Sequence, residues 1–285
     1  SVYGWGDNTY GQLGVDLDYT LELEQKENDR LGGTFTYRVP VRIFAGNYVT
    51  GEKAGEFDSY RNHEGMTYMN NVLGISAGSN HTLLLLSDGT VWSFGVDTYG
   101  QLGSGKARAT YSIEDERLTA EYDPITPAEL VADMVKTERT PAAIRAKGLN
   151  GQGLSGETIG RIVEVAAGGD SSLALTADGR VYAWGSNAYG QLGIGKSETE
   201  VPMTTFPVQV NIGQLIEEIA VGRHHVLART ADGDIYAWGR NNRGQLGQGG
   251  DAPNDYNSPV QVKTCEGGSG DYFTGATSIA AGDEP

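Results

Sequence analysis

The chain has 285 residues, with 37 acidic against 21 basic side chains and a net charge of −16. That length suits a single all-β domain. The charge opposes DNA and RNA backbones, whose affinity for proteins rests on Lys and Arg at phosphates, so no nucleic-acid partner is expected. A lone cysteine, Cys265, excludes a disulfide within the chain, and no apolar run reaches membrane-spanning length.

One phrase is written four times. It reads Trp5-Gly6-Asp7-Asn8-Thr9-Tyr10-Gly11-Gln12-Leu13-Gly14 and returns over residues 94–103, 184–193 and 238–247. Self-similarity on this scale signals a repeat architecture. Residues that recur in every copy are there to build the repeat before they do any chemistry.

A second shared segment precedes three of the copies. It runs Ile75-Ser76-Ala77-Gly78, then Thr82-Leu83-Leu84-Leu85-Leu86, Asp88-Gly89 and Val91-Trp92-Ser93-Phe94. Its partners are Val165-Ala166-Ala167-Gly168 to Trp184 and Ile219-Ala220-Val221-Gly222 to Trp238. Two apolar, β-branched runs joined by Asp-Gly predict a hairpin, since Gly accepts the positive φ of the turn. Pro40-Val41-Arg42-Ile43, Pro207-Val208-Gln209-Val210 and Pro259-Val260-Gln261-Val262 predict a further strand at a sheet edge, where a leading Pro is tolerated. Each unit is thus a small antiparallel sheet, the content of one propeller blade.

Two units are longer than the others. From Gly14 to Gly78, and from Gly103 to Gly168, the chain runs roughly twice as far as from Gly193 to Gly222 or from Gly247 to Gly282. The extra length defines insertions at 15–73 and 104–160, expected as surface excursions. The first is aromatic (Tyr19, Phe35, Tyr37, Phe44, Tyr48, Phe57, Tyr60, Tyr68), so it is expected to pack against the propeller. In the second, Thr126-Pro127-Ala128-Glu129 reads as a capping box opening a helix, with Leu130, Val131, Met134 and Val135 on one face. Pro127-Ala128-Glu129-Leu130 also fits the outer-strand slot. Thr140-Pro141 through Lys147-Gly148 predicts a second short helix ended by Gly. The acidity is general and is not held in the insertions.

The Ala-Gly strand, the Asp-Gly hairpin, the Trp-Gly strand end and the Gly-Gln-Leu-Gly turn, in that order, resemble the regulator-of-chromosome-condensation repeat family. The resemblance covers all four units and implies a β-propeller of four-stranded antiparallel blades. Family members close at seven blades, so this chain is expected to be an arc of about four, cut from a longer protein. Such an arc would expose apolar edges and self-associate, although ring closure between its two ends is conceivable. The family places a His three residues after the Ala-Gly glycine. Here that position holds His81, Ser171, His225 and Pro285, a departure in two copies. The Tyr before Gly-Gln-Leu-Gly in three copies looks more like bacterial members.

Several segments resemble chemical motifs. Gly190-Gln191-Leu192-Gly193-Ile194-Gly195-Lys196-Ser197 fits a phosphate-binding loop. Its glycines recur in the other repeats, and an acidic stretch follows in place of a helix, so it is read as repeat framework. Gly151-Gln152-Gly153-Leu154-Ser155-Gly156 fits a dinucleotide fingerprint but leads into a strand, so it is read as connector. Asp16 to Glu27 lacks the Gly and the third carboxylate of a calcium loop. His224 and His225, as neighbours on a strand, would point to opposite faces and cannot share a metal. His225 and His81 are read as structural blade histidines. His63 has no partner in the sequence to complete a site. Asp7, Asn8, Asp97, Asn187, Asn241 and Asn242 are read as turn caps. No nucleophile and base form a pair, so no catalytic, cofactor or metal site is expected.

The expected function is therefore non-enzymatic protein binding by a rigid propeller face, in a bacterial protein that is extracellular or at the cell surface. A cytoplasmic location is the alternative. The resemblance supports binding, since bacterial relatives include inhibitors that clamp an enzyme with one propeller face. A second function implied by the resemblance is guanine-nucleotide exchange on a small GTPase, but this chain shows no basic arm like that of the nuclear, nucleosome-docking relative. A hydrolase on the propeller face is disfavoured. The candidate contacts are Tyr10, Tyr99, Tyr189 and Arg243, one at an equivalent position in each repeat, because Tyr and Arg are common interface anchors. The competing role for the tyrosines is packing against the next blade.

Overall fold

The structure, a computed structural model, describes residues 1–7, 12–14, 36–43, 69–103, 140–145, 159–249, 254–264 and 271–283. Fourteen strands run through them: β1 (Tyr3–Asp7), β2 (Thr36–Arg42), β3 (Val72–Ala77), β4 (His81–Leu86), β5 (Val91–Gly95), β6 (Thr140–Arg145), β7 (Ile162–Gly168), β8 (Ser171–Thr176), β9 (Val181–Ser186), β10 (Met203–Val210), β11 (Ile216–Val221), β12 (His225–Thr230), β13 (Ile235–Gly239) and β14 (Tyr256–Gln261). They form three four-stranded antiparallel sheets, β3–β6, β7–β10 and β11–β14, plus the pair β1–β2. Each sheet runs in chain order, so each is one blade. The described residues contain no helix.

The repeat explains the blade strand by strand. Apolar alternation feeds the first two strands, and Asp-Gly turns the second into the third. In those turns only Gly is left-handed, with φ of 81° at Gly89, 80° at Gly179 and 81° at Gly233. The glycine after each Trp or Phe has two reasons to be there. Gly95, Gly185 and Gly239 take φ of 112°, 99° and 98°. A Cβ on any of them would also strike the backbone carbonyl of Asn80, Asp170 or His224. The strand ladder shifts register beside this glycine in all three blades, and beside Gly6 in the β1–β2 pair.

The fourth strand corrects two expectations. Thr140–Arg145 is a strand and not the first turns of a helix, and it fills the slot offered to Pro127–Leu130. It pairs with β5 through Gly95↔Thr140, Ser93↔Ile144 and Trp92↔Arg145. Thr-Pro at a segment start is equally a helix N-terminus and the head of an edge strand. The open edge of β5 decides between them, because its backbone N–H and C=O groups need partners. The predicted helix over 126–135 lies outside the described residues, as do the aromatic residues of 15–35 and 44–68.

Blades join through apolar layers. Leu83, Leu85 and Val91 of the first full blade pack with Ile162, Val165, Ala167, Tyr182 and Trp184 of the second. Leu173, Leu175 and Val181 of the second pack with Ile216, Ile219, Val226 and Trp238 of the third. Ile43, Met69, Leu84 and Phe94 join the β1–β2 pair to the first blade. Phe94, Trp184 and Trp238 are 0% exposed, whereas Trp5, at the same repeat position, is 63% exposed. Tyr3, Leu73 and Ile75 are exposed as well.

Candidate protein-binding face

Strand order gives every blade two ends. The Asp-Gly hairpins mark one. The loops between first and second strands, together with the Gly-Gln-Leu-Gly turns after third strands, mark the other. β2 and β6 lie inside the longer units, and each starts at the turn end, where Thr36 pairs with Asp7 and Thr140 with Gly95, and finishes at the hairpin end.

The turn is a folding device in all its recurring atoms. Asp97, Asn187 and Asn241 each accept, at Oδ1, the amide of the turn leucine: Leu102 at 2.9 Å, Leu192 at 3.2 Å and Leu246 at 3.1 Å. They are the turn caps expected of them; Asn8 lies outside the described residues. The side chains of Gln101, Gln191 and Gln245 accept the backbone N–H groups of Tyr99, Tyr189 and Arg243 at 2.8, 2.7 and 2.8 Å. The glutamine carbonyls reach the next blade. Gln101 O accepts the Trp184 indole N–H at 2.9 Å, and Gln191 O accepts that of Trp238 at 2.9 Å. Phe94 has no N–H to give, and Gln12 O is met by the Thr82 hydroxyl at 2.8 Å.

His81 is a structural residue of the same kind. It is buried beneath Gly78, where a Cβ would collide with the imidazole, and its Nε2 lies 2.9 Å from Ser172 Oγ of the next blade. Burial lowers its pKa from 6.5 to about 4. His225 lies beneath Gly222 in the same way, and burial lowers its pKa too. His224 diverges from it towards Tyr189, so the pair shares no site.

Carboxylate bridges between inner strands were not foreseen. Glu164 accepts Ile219 N–H at 3.3 Å, and its repeat counterpart Glu218 accepts Ile279 N–H at 3.4 Å. Burial raises the pKa of Glu164, partly opposed by that backbone N–H. In the sequence both read as ordinary polar alternation. Their signal was recurrence three residues before the Ala or Val of the Ala-Gly strand.

The phosphate-loop look-alike is a closed turn. Lys196 Nζ sits 3.0 Å from Glu200 Oε1, while Ser197 N–H and Oγ both donate to Glu200 Oε2 at 3.0 Å. The Ser197 amide first, and then Lys196, hold the Glu200 carboxyl at about 2. The chain continues into β10 with no helix N-terminus to receive a phosphate. Lys196→Ala is expected to leave ATP and GTP titrations flat, as in the parent. Saturable micromolar nucleotide binding that this substitution abolishes would contradict the assignment.

Of the candidate contacts, Tyr99, Tyr189 and Arg243 hold one equivalent position on three turns at the same end. Tyr10 lies outside the described residues. Tyr189 packs across the blade boundary: its ring centroid is 4.7 Å from that of His224, and the Arg240 guanidinium carbon is 4.6 Å from it. Arg243 is exposed. The calcium-like segment at 16–27, the Gly151–Gly156 segment, His63 and Cys265 lie outside the described residues. Among the described residues no group of His, Cys, Asp and Glu is placed to hold a metal ion, and no helix is long and apolar enough to cross a membrane.

These features define an all-β repeat protein whose recurring residues join one blade to the next. The regulator of chromosome condensation (RCC1) repeat matches residues 72–101, 162–191 and 216–245 in one form, and 178–229 and 232–284 in another. The chain belongs to this family. It is similar to the ultraviolet-B receptor UVR8 of Arabidopsis thaliana, 27% identical over 274 residues, 95% of this chain and 44% of the receptor. It is also similar to the probable E3 ubiquitin-protein ligase HERC6 of Homo sapiens, 30% identical over 69% of this chain and 15% of the ligase. The solved structure of Prp20p from Saccharomyces cerevisiae superposes with a TM-score of 0.61 at 18% identity, covering 99% of this chain and 49% of that one. That protein was described together with its binding to Gsp1p and histones. The chain thus spans less than half the length of these relatives.

Proposed function

We propose that this chain is a non-enzymatic protein-binding propeller segment that uses its turn end as the binding face. One observation carries the reading. The framework absorbs the recurring polar groups of the turns, whereas the loop side chains between them differ from blade to blade on a rigid support. Rigid display lowers the ordering cost of association. Family membership supports the same reading, because the related Prp20p binds Gsp1p and histones. We further propose a bacterial, secreted or surface-exposed parent. The Tyr before three of the turns, which looks more like bacterial members of the family, supports the bacterial origin.

The test is a triple substitution, Tyr99→Ala with Tyr189→Ala and Arg243→Ala, assayed against partners identified by crosslinking on the intact chain. The expected result is at least about a tenfold loss of affinity, equivalent to about 1.4 kcal/mol, at a melting temperature close to the parent's. A fall in melting temperature with affinity retained would assign these side chains to packing alone. Acceleration of guanine-nucleotide release from a small GTPase by the parent would replace this reading with exchange activity.

A further inference from the structure

The three full blades act as internal controls for one another. At the turn end, the two loop residues before the second strand are Ser79-Asn80, Gly169-Asp170 and Arg223-His224. The residue after the Trp-Gly or Phe-Gly pair is Val96, Ser186 or Arg240, and the residue before Gly-Gln-Leu-Gly is Tyr99, Tyr189 or Arg243. The first two blades build these loops with neutral or acidic residues. The fold therefore has no need of cations there, and the third blade carries three arginines and a histidine at matching positions.

Arg240 is held in place. Its guanidinium lies against the Tyr189 ring, 4.6 Å from the centroid, and Tyr189 in turn meets His224. A stacked guanidinium keeps its N–H groups in a fixed fork. Among the described residues no acceptor takes the N–H groups of the Arg240 or Arg243 guanidinium, and Arg223 and Arg243 are exposed. Among the described residues, carboxylates border the group. Asp170 faces Arg223 and receives Gln101 Nε2 at 3.4 Å, while Asp255 accepts Asn241 N–H at 2.8 Å. On a chain of net charge −16 this is a local reversal of sign.

Deepening the protein-binding reading, on which this inference rests, we propose that Arg223, Arg240 and Arg243, with Tyr189 and His224, form a docking surface for an acidic protein segment. Planar guanidinium forks match carboxylates in bidentate geometry. The tyrosine and histidine rings offer apolar area beside them. The overall negative charge sets the rest of the surface against a long polyanion such as nucleic acid and leaves this patch for a short run of Asp or Glu.

The test uses the intact chain and a fluorescein-labelled decapeptide of alternating Glu and Gly. A Gln-Gly decapeptide and a single-stranded oligothymidine serve as controls, all read by anisotropy at low salt. Saturable binding of the Glu peptide alone is expected, weakened at least about tenfold by Arg223→Gln with Arg240→Gln. Arg240→Lys, which keeps the charge without the fork, is expected to lose part of the affinity. Arg180→Gln, at the hairpin end, is expected to leave it unchanged. Absence of saturable Glu-peptide binding, equal loss with Arg180→Gln, or tighter binding of oligothymidine would each overturn the proposal. A photocrosslinker at Asn242 separates this failure from failure of the protein-binding reading. Partner capture that the double Arg→Gln variant leaves unchanged would overturn the acidic chemistry and keep the face.

Discussion

Trp238→Phe is expected to destabilise the protein more than Trp184→Phe, although both indoles are fully buried and both donate to a glutamine carbonyl at 2.9 Å. The difference lies in the neighbouring strand. In Trp184→Phe, Gln101 O keeps the Ser172 hydroxyl at 2.8 Å. In Trp238→Phe the matching residue is Val226, opposite Trp238 in the ladder, and Gln191 O loses its donor. A buried carbonyl left without a partner costs about 1–3 kcal/mol, and the gap between the two variants should fall in that range. The first blade supplies the remedy, since Phe94 there stands opposite Thr82, whose hydroxyl serves Gln12 O at 2.8 Å. Val226→Thr combined with Trp238→Phe should therefore regain most of the loss relative to Trp238→Phe alone. Truncation to Ala at either tryptophan removes the packing as well and should cost about 3–5 kcal/mol. Urea unfolding midpoints read all five variants. Equal losses for the two Phe variants, or no rescue by Thr, would show that the indole N–H groups contribute nothing at the blade boundary.

His81 should make the fold acid-sensitive. Burial lowers its pKa from 6.5 to about 4 in the native state. Below pH 6.5 the unfolded chain takes up a proton that the native ring refuses until about pH 4, so the native state loses ground across that window. Above the window the contribution to stability is fully present. Through it, each pH unit removes about 1.4 kcal/mol, or about 3 kcal/mol in all as an upper figure. The buried His225 imidazole adds in the same direction. His81→Gln should flatten the difference in unfolding free energy between pH 7 and pH 4 by about 3 kcal/mol relative to the parent. Identical pH profiles for parent and variant would show that the native ring is protonated as readily as the unfolded one.

Much of this architecture is legible because it is local and repeated. The Asp-Gly hairpins, the strand runs and the turn caps depend on residues within a few positions of one another, and each is written several times. The role of the recurring residues as framework was legible for the same reason. The proposed face was harder to read. Tyr99, Tyr189 and Arg243 were selected by equivalence, but the proposed Arg223 and Arg240 were not, because a lone arginine in a loop has no periodic signature. Their grouping arises only when the second and third blades meet.

By itself, the sequence determined the family, the three-strand core of each blade and the Pro-led outer strands of the regular units, since short-range geometry and period select them. Tertiary structure decided the rest. Thr140–Arg145 became a strand because the open edge of β5 needed partners some fifty residues along the chain. Phe94 replaces Trp at no cost in unpaired carbonyls because Thr82 stands opposite it in the ladder. Glu164 and Glu218 serve amides of the following unit. In each case a buried or edge backbone group must find a partner, and the residue that supplies it is near in space and distant in sequence.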